Sequence, residues 1–386
     1  MKQSNNAKRV CIFSAQYLPG LGGVERYVHN MATKLIEKGI EVTLVTSTTD
    51  TAIKNEITEK LKVYRIPSIN FLNGRMPVPK LWAYETKKII RELKSARYDL
   101  VITNTRFYIL SIIGVMIGSI SGKKNIVIEH GTSYVSIGNI FLDKLEIVYE
   151  HFMTFLIKRY SKEFFGVSKA CNEWLKTFHI DTDKTLYNAV DLEKIEYIFS
   201  KDEVDIREKY NISKQAEIIV FTGRLLEEKG IYKLVNAYLE LKKDYSQTQL
   251  VIAGNGPELE KLRSKNIDGV ILTGALEHVE IIQLLKTSDI YCLPTDYPEG
   301  LSTSVLEAIA CNCFVITTMR GGAKEVITDD RYGIIMKNNS VNDIVCALKQ
   351  AMNNKEYRKN AALKCKTERL KEYTWDSVCE DILKIM

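Results

Sequence analysis

Short runs of β-branched and apolar residues alternate with amphipathic helical patterns along almost the whole chain, and this alternation restricts the available folds. Such runs include RVCIFSA, IEVTLVTS and NIVIEH in the first half, and EIIVFTG, QLVIAG and CFVITT in the second. Between them lie segments such as GVERYVHNMATKLIEKG, whose apolar residues recur with helical spacing and which ends on a glycine suited to a helix C-cap. Strand, helix and strand repeated in both halves predict an α/β protein with two doubly wound parallel sheets.

The chain has 386 residues, which is long for a single core, so two domains are expected. The alternation pauses at residues 189–215, which indicates a linker region. We therefore predict an N-terminal domain over 1–193, a C-terminal domain over 194–371, and a final helix at about 372–386 that packs back on the first domain. Because ligands bind at the carboxyl ends of parallel strands, two facing sheets predict an interdomain cleft.

The composition is that of a soluble globular protein, with 45% hydrophobic and 26% charged residues. Eight scattered cysteines without a Cys-x-x-Cys pair favour reduced thiols in a cytosolic compartment. The N-terminus lacks the apolar core of a signal peptide. The longest apolar run, 107–120, has 14 residues, whereas a membrane span needs about 20. We therefore expect a cytoplasmic protein in which this run forms a packed helix.

Positive charge is concentrated in the first half of the chain. Residues 1–200 hold 28 Lys and Arg against 20 Asp and Glu, whereas residues 201–386 hold 26 against 28. Part of the excess lies in KLWAYETKKIIRELKSARYD, residues 80–99, which is predicted to be a basic helix. Its basic residues form either a solvated face or a surface attracted to anionic lipid head groups, at about 1 kcal/mol per residue. Nucleic acid is disfavoured as a partner because few aromatic residues interleave with these charges.

A glycine-rich loop, LPGLGGVERY, follows the first predicted strand and opens the first helix. Gly22 and Gly23 would let the backbone approach a negative group at the helix N-terminus, although a simple tight turn explains them too. A dinucleotide fingerprint needs glycine at position 25, where this chain has Glu25, so an NAD site is disfavoured.

Two basic residues follow the first strand of the second half, in FTGRLLEEKGI. Arg224 and Lys229 at the carboxyl end of a strand are suitable ligands for a diphosphate, one as a bidentate fork and one as a point charge. The alternative is an exposed pair whose charge is balanced by Glu227 and Glu228.

The stretch YPEGLSTSVLEAIACN places carboxylates on both sides of a helix N-terminus that could receive a phosphate. A capping box between Ser304 and Glu307 would explain one carboxylate but not Glu299. Carboxylates accept hydrogen bonds from vicinal hydroxyl groups, as they do with ribose in dinucleotide folds. A nucleotide that carries a sugar fits this pattern, with the ribose on Glu307 and the transferred sugar on Glu299.

With these residues, the chain resembles the retaining glycosyltransferases of family 4. The resemblance is carried by PGLGGVERY, EHGTSY, GVSKACNEWL, NAVDL, TGRLLEEKGI, AGNGPELEKL, PEGLSTSVLEAIACNCFVITT and GGAKEVI, which span nearly the whole chain. It implies the GT-B fold, in which two Rossmann-like domains face a cleft. It also implies a hexosyltransferase that moves a sugar from a nucleoside-diphosphate sugar, with a UDP-sugar favoured, and retains the anomeric configuration.

The resemblance implies roles for individual residues. The diphosphate would be neutralised by Arg224 and Lys229, the ribose held by Glu307, and the sugar contacted by His130 of the EHG motif. The other implied donor contacts are Glu299 with the backbone N–H groups of Gly300 and Leu301, Gly22 and Gly23 at the phosphate, Gly274 and Leu276 of LTGAL at the nucleobase, and Ser302 near the sugar. The form EGLSTSVLEA departs from the commoner EGFG pattern at Ser302, which leaves the donor sugar open.

The partners follow from the same resemblance. The first domain would hold a glycan or a lipid-linked oligosaccharide acceptor, in the assembly of surface polysaccharides such as capsule or O-antigen. The basic helix would be attracted to anionic lipid at the inner face of the cytoplasmic membrane. No cofactor or metal is expected, and Asp181 and Asp183 of DTD are not interpreted as metal ligands because they lie in a loop before KTLYNA. Two alternatives stay open: a sugar-nucleotide 2-epimerase of the same fold, and a non-catalytic nucleotide-sugar binding protein.

Overall fold

A computed structural model describes residues 7–20, 22–50, 52–71, 76–136, 138–201 and 205–386. The chain forms two compact units. Unit 1 consists of Met1–Tyr187 and Trp375–Met386, and unit 2 of Asn188–Thr374. These divisions fall a few residues from the domain boundaries that the sequence indicates near 193 and 371.

Unit 1 is built on a mostly parallel sheet with the strand order β3-β4-β2-β1-β6-β7-β8. Its strands are β1 (Arg9–Ser14), β2 (Glu41–Thr48), β3 (Glu56–Ile57), β4 (Leu61–Ile69), β5 (Val78–Pro79), β6 (Tyr98–Asn104), β7 (Gly122–Glu129) and β8 (Glu163–Gly166). The two short strands β3 and β5 pair antiparallel with β4. Its helices are α1 (Gly23–Glu37), α2 (Tyr84–Ser95), α3 (Ile109–Ser121), α4 (Ile140–Ile157) and α5 (Lys169–Leu175), the last followed by a 3₁₀ turn at Lys176–Phe178.

Unit 2 has a parallel sheet in the order β11-β10-β9-β12-β13-β14. Its strands are β9 (Glu217–Thr222), β10 (Thr248–Ala253), β11 (Val270–Gly274), β12 (Ile290–Leu293), β13 (Phe314–Thr318) and β14 (Ile334–Met336). Its helices are α6 (Leu192–Lys201), α7 (Ile206–Lys209), α8 (Ile231–Leu241), α9 (Leu259–Arg263), α10 (His278–Lys286), α11 (Thr303–Ala310), α12 (Ala323–Val326), α13 (Val341–Asn353) and α14 (Lys355–Lys364), with 3₁₀ turns at Glu227–Lys229 and Leu370–Tyr373 and a π-helical segment at Cys365–Arg369.

The strand order of each unit confirms the predicted class of two doubly wound α/β domains. In unit 2 the chain moves from β9 to β10 on one side and later places β12 on the other side of β9. This is a topological switch point, and the crevice outside the carboxyl ends of the two strands is where such sheets bind ligands. The buried apolar runs of the central strands follow from the helices that cover both faces of a parallel sheet.

The last helix, α15 (Trp375–Ile385), belongs to unit 1. The Trp375 ring packs edge-on against the ring of Tyr27 of α1, with 5.0 Å between the centroids. On the same helix pair, the Lys34 ammonium lies 3.2 Å from a carboxylate oxygen of Asp376. The C-terminal segment is thus held by an aromatic contact and an ion pair within unit 1.

The apolar run 107–120 supplies most of α3, which is packed within unit 1. A side chain at Gly114 would meet the Phe13 ring at 2.8 Å, and one at Gly118 would meet Asn125 at 2.5 Å, so the two glycines allow close approach to the sheet. Among the residues that the structure describes, no helix combines the length and the apolar character needed to cross a bilayer.

Helix α4 has an unusual polarity, because its buried face carries two carboxyl groups. Glu146 and Glu150 are both buried there, and Glu150 forms an ion pair with the buried guanidinium of Arg106. Arg106 also pairs with Glu129 at the end of β7. Burial, together with the neighbouring Glu150 carboxylate, raises the pKa of Glu146 to about 9, so Glu146 keeps its proton at neutral pH.

This raised pKa makes the stability of unit 1 depend on pH in a defined direction. Above pH 4.5 the unfolded chain loses the Glu146 proton that the folded chain retains, so the wild type loses stability as pH rises towards 9. Glu146→Gln mimics the protonated form, and we expect it to raise the free energy of unfolding by about 2 to 3 kcal/mol at pH 7 and by close to zero at pH 4.

Urea unfolding of the wild type and Glu146→Gln across this pH range checks the prediction. Glu85→Gln, at an exposed position of α2 in the same unit, is the matched control and should show no such pH-dependent gain. A Glu146→Gln variant that is less stable than wild type at pH 8 would show that Glu146 is ionised in the folded chain.

Candidate functional site

In unit 2, two of the predicted site residues meet at the topological switch point. The Lys229 ammonium, which follows β9, lies 3.0 Å from the Glu299 carboxylate, which follows β12. Both side chains are largely buried, at 15% and 14% exposure. An ion pair of this kind presents a cation and a carboxylate side by side at the mouth of the crevice, where an anion with hydroxyl groups can contact both.

Arg224 lies at the same edge of the sheet, two residues beyond β9, and its side chain is exposed. Within the described ranges, neither Glu227 nor Glu228 forms an ion pair with Arg224 or with Lys229. The alternative of a pair balanced by these two glutamates is therefore wrong for Lys229, whose partner is Glu299. Arg224 presents its guanidinium to solvent at this edge of the sheet.

Backbone contacts hold the two loops of the switch point together. Gly230 has a φ of +75°, and a side chain there would lie 2.1 Å from the carbonyl oxygen of Pro294, so only glycine fits. The backbone N–H groups of Asp296 and Tyr297 both donate to the carbonyl of Glu228, at 2.7 and 3.1 Å. The Tyr297 ring also lies 5.6 Å from the Lys229 ammonium. The position of Lys229 relative to Glu299 is thus fixed by the main chain.

The helix after Glu299 begins without a side-chain cap. The N-cap residue of α11 is Ser302, and its side chain makes no capping hydrogen bond. The hydroxyl of Ser304 instead contacts the hydroxyls of Tyr291 and Ser302, at 2.7 and 2.9 Å. The capping box considered for Ser304 and Glu307 is therefore wrong. Because the first N–H groups of a helix have no intrahelical partner, this end of α11 retains donors for an anion.

Glu307 has a different partner, His278, that the sequence reasoning missed. The Nε2 atom of His278 lies 3.1 Å from a carboxylate oxygen of Glu307, which is 8% exposed. His278 is the first residue of α10 and follows Gly274, the last residue of β11, by four positions. The sequence already placed Gly274 at the ligand edge, so the histidine at the start of the next helix could have been found from that spacing.

The segment from Gly300 to Leu301 is held on two sides. The backbone N–H of Gly322 donates to the carbonyl of Gly300 at 2.7 Å. Asn188 donates its side-chain amide to the carbonyl of Leu301 at 2.7 Å and to the hydroxyl of Thr303 at 2.8 Å. Asn188 opens the NAVDL motif and was assigned no role from the sequence. These bonds orient the backbone that the resemblance assigns to the donor.

The two residues predicted to contact the nucleobase, Gly274 and Leu276, lie where strand β11 ends. Gly274 adopts a φ of +73°, and its carbonyl accepts a hydrogen bond from the N–H of Gly254 at 2.8 Å. Leu276 is half-buried in the turn that leads to His278. Both therefore lie at the carboxyl end of β11, on the same edge of the sheet as Arg224, and their roles stay predictions.

In unit 1, Gly22 and Gly23 begin α1, with Gly22 as the N-cap residue. A side chain at Gly22 would lie 2.2 Å from a carboxylate oxygen of Glu25, whereas one at Gly23 would meet open space. Glu25 is 8% exposed, and burial raises its pKa. The Glu25 side chain therefore occupies the space next to position 22 and gives a structural reason for glycine there. This reason is additional to the predicted contact with a phosphate.

His130 follows β7 and is held from several sides. Its Nε2 atom lies 2.9 Å from Oδ1 of Asn104, whose amide donates to the carbonyl of Phe13 at 3.2 Å. This orientation of the Asn104 amide assigns the proton to Nε2 and leaves Nδ1 as an acceptor. The ring also packs edge-on against Tyr27, with 4.8 Å between the centroids. Burial lowers the pKa of His130 to about 4, opposed in part by the Glu129 carboxylate.

The depressed pKa predicts a second effect of pH on stability. Between pH 6.5 and 4 the unfolded chain binds a proton at His130 that the folded chain does not, so stability falls as pH falls through this window. Relative to His130→Gln, the wild type should lose up to about 3 kcal/mol of unfolding free energy from pH 7 to pH 4.

Parallel urea titrations of the wild type, His130→Gln and His151→Gln measure this difference, with His151 as an exposed histidine of the same unit. We expect the pH dependence of the His130 variant to be shallower and that of the His151 variant to match the wild type. Equal slopes for the wild type and His130→Gln would contradict a neutral His130.

The predicted residues thus divide between the units. His130, Gly22 and Gly23 belong to unit 1, and the others belong to unit 2. Within the part of the chain that the structure describes, no group of three or more His, Cys, Asp or Glu side chains is placed to hold a metal ion. The expectation of no metal or cofactor stays a prediction.

Comparison with known proteins places this geometry in a protein class. Two family models match the chain: Glycosyltransferase Family 4 over residues 21–194, and Glycosyl transferases group 1 over residues 202–366. An uncharacterized glycosyltransferase of Methanocaldococcus jannaschii is 28% identical over 98% of this chain and 97% of its own. The phosphatidylinositol N-acetylglucosaminyltransferase GPI3 subunit of Saccharomyces cerevisiae is 25% identical over 90% of this chain and 75% of its own.

The fold is shared with solved structures. The Anabaena protein HepE in complex with UDP has a TM-score of 0.73 to this chain at 15% identity, over 98% of both chains. The same protein has also been crystallised with UDP-glucose. Fold and family matches together define a glycosyltransferase of the GT-B class and of the hexosyltransferase type. The first half of the chain thus matches the Glycosyltransferase Family 4 model and the second half the Glycosyl transferases group 1 model, and the two matches together identify the chain as a glycosyltransferase.

Proposed function

We propose that the chain transfers a hexosyl group from a UDP-sugar to a hydroxyl group of a glycan or a lipid-linked acceptor, with retention at the anomeric carbon. The observation that carries the proposal is the Lys229–Glu299 pair at the switch point, beside the uncapped N-terminus of α11. The complexes of HepE with UDP and UDP-glucose support the choice of donor, since that protein shares this fold.

The donor is bound through charge complementarity. A diphosphate at the switch point takes the guanidinium of Arg224, the ammonium of Lys229 and the helix N-terminus as its cationic partners. Lys229 is already held against Glu299 at 3.0 Å, so a phosphate that approaches it also comes close to this carboxylate. Glu299 then accepts hydrogen bonds from the sugar hydroxyls.

The nucleoside is recognised by the neighbouring loops. Glu307, oriented by His278, accepts hydrogen bonds from the ribose hydroxyls. The backbone around Gly274 and Leu276 lies at the same edge of the sheet and contacts the base. Because backbone groups can pair with more than one base, the preference for uracil rests on the comparison with HepE.

The transfer exchanges one bond to the anomeric carbon for another. The bond to the leaving diphosphate oxygen breaks, the bond to the acceptor oxygen forms on the same face of the sugar, and the acceptor proton passes to the leaving phosphate. Enzymes lower such barriers by about 8 to 23 kcal/mol. Each charged hydrogen bond contributes about 1.5 to 3 kcal/mol, and orientation of the reactants contributes about 7 to 11.

His130 takes part through hydrogen bonding. It is neutral at pH 7 because burial holds its pKa near 4, so it offers no charge to the reaction. With its proton on Nε2 and Asn104 as the partner, its Nδ1 atom is an acceptor for a sugar hydroxyl. This is the role proposed for His130 in holding the transferred sugar.

The acceptor is proposed to be lipid-linked and the setting to be surface-polysaccharide assembly at the inner face of the cytoplasmic membrane. The yeast relative is named for transfer that involves phosphatidylinositol. The α2 side chains Lys87, Lys88, Arg91 and Lys94 are exposed, which suits attraction to anionic lipid. The capsule or O-antigen role rests on the resemblance alone.

Turnover tests the proposed roles of the two cations. Arg224→Ala and Lys229→Ala should each lower kcat/KM for UDP release about 10- to 100-fold, since each removes a charged hydrogen bond to the leaving diphosphate. The melting temperature should change little for Arg224→Ala, because this side chain is exposed. Lys229→Ala removes the cation beside the largely buried Glu299 carboxylate and should lower the melting temperature, so its turnover is measured well below that temperature. Lys349→Ala, which removes a lysine paired with Asp244 on the same unit, is the matched control and should retain turnover.

Unaltered turnover in either site variant would rule out the proposed role of that residue. The same assay separates the alternatives, because a glycosyltransferase releases the nucleotide only when an acceptor is present. A 2-epimerase would convert the donor without acceptor, and a non-catalytic binding protein would release nothing.

A further inference from the structure

Helix α4 exposes a continuous apolar stripe to solvent. Five large apolar side chains along it, Phe141, Leu145, Val148, Phe152 and Phe155, are each more than half exposed. Their spacing alternates between four and three residues, so they line one side of the helix over its full length. A contiguous exposed stripe of this kind is typical of an interaction or membrane surface rather than of a free solvated helix.

The orientation of α4 is the reverse of that of an ordinary amphipathic helix. Its buried side carries Glu146, Glu150 and Thr154 beside the apolar Met153 and Ile157, and its exposed side carries the phenylalanines. Glu150 must face inward because it neutralises the buried guanidinium of Arg106. The ion pair fixes the rotation of the helix and leaves its apolar side outward.

The neighbouring helices extend the same face. Ile89 and Leu93 of α2 share a core cluster with α3, and Val115 of α3 shares another with Ile157 of α4, so α2, α3 and α4 form one layer. Helix α3 adds the exposed Ile120 to the outer side of this layer. The basic helix α2 and the apolar helix α4 thus flank α3 on one side of the sheet.

The charges on this layer distinguish between possible occupants. Lys144, Arg159 and Lys162, on or just after α4, are exposed. The three carboxyl groups of α4 lie on the side opposite the stripe: Glu146 and Glu150 are buried there, and Asp143 is half-buried. A second copy of the chain would bring the same cations and no exposed carboxylate from this side of the helix, whereas an anionic bilayer supplies the opposite charge.

We propose that α4 lies flat in the interface of an anionic lipid bilayer, with its phenylalanines among the acyl chains and the basic residues of α2 and α4 over the head groups. The helix has 18 residues and is therefore about 27 Å long. Aromatic and aliphatic residues on one side with flanking cations are the features of interfacial helices. This proposal rests on the proposed function for the nature of the acceptor. Its test, in contrast, requires no measurement of enzymatic turnover.

Vesicle co-sedimentation of the full chain tests the proposal. The probes are phosphatidylcholine vesicles with and without phosphatidylglycerol, at low and high salt. Phe152→Gln combined with Phe155→Gln should lower partitioning into the anionic vesicles about tenfold or more, at both salt concentrations. The reason is that the variant lacks two rings that the wild type buries among the acyl chains of the bilayer. Leu239→Gln combined with Leu363→Gln removes exposed leucines from helices of unit 2 and should leave partitioning unchanged.

The basic helix gives a second arm with a different salt dependence. Neutralising Lys87, Lys88, Arg91 and Lys94 should weaken binding at low salt and have little effect at high salt. A fluorophore on Val148→Cys, in a Cys346→Ser background that removes the exposed cysteine, should shift to the blue with anionic vesicles. This fluorescence measurement keeps the other four residues of the stripe and does not depend on the folding of the glutamine variants.

Three results would overturn the proposal: no partitioning of the wild type, unchanged partitioning of the phenylalanine variant, or no fluorescence shift at position 148. A wild-type dimer that ignores vesicles and that Phe152→Gln with Phe155→Gln dissociates would instead assign the stripe to a second copy. Partitioning that persists while turnover is absent would leave this inference standing and reject the proposed function.

Discussion

The buried guanidinium of Arg106 determines much of the arrangement in unit 1. It lies between two buried carboxylates, Glu129 at the end of β7 and Glu150 of α4. A buried charge of this kind must be paired, and removing one partner typically costs about 3 to 5 kcal/mol. The second oxygen of Glu129 accepts hydrogen bonds from the N–H groups of His130 and Gly131, at 3.0 and 2.9 Å.

The same cluster therefore connects two features that are separate in sequence. Through Glu129 it fixes the backbone that carries His130. Through Glu150 it sets the rotation of α4, and the other oxygen of Glu150 accepts from the N–H of Val135 at 3.1 Å. The loop that follows His130 is thus bonded at its start to Glu129 and further on to Glu150. An apolar outer face on α4 is a consequence of this buried ion-pair cluster.

The fold class was predictable because it depends on periodicity, and the motif positions because glycine, proline and charge mark the ends of parallel strands. Lys229 and Glu299 were both identified, but their ion pair was not, since it depends on how two loops 70 residues apart are tied by Gly230 and Asp296. The capping box at Ser304 was wrong because the helix already begins at Thr303, so its N-cap residue is Ser302. The contacts of Asn188 depend on tertiary structure that a local pattern does not contain, whereas His278 could have been found from its spacing after Gly274.

The reversed polarity of α4 was also beyond the sequence reasoning. Apolar and acidic residues alternate there so that either side could face the core, and the choice is made by Arg106, which lies 34 residues before the start of α4. Periodicity alone predicts which residues share a side of a helix. Periodicity does not predict which side is buried when a charged residue of the core, here Arg106, forms an ion pair with one side of the helix.

The most direct test of the account is calorimetric titration of UDP, GDP and ADP into the wild type, Glu307→Gln and the control Glu260→Gln, with a chelator present. We expect that UDP binds and that Glu307→Gln weakens binding about 10- to 100-fold through loss of charged hydrogen bonds to ribose. Glu260→Gln, at an exposed position of α9 in the same unit, should bind like the wild type. UDP binding that is equal in the wild type and Glu307→Gln would contradict the placement of the nucleotide at the switch point of unit 2.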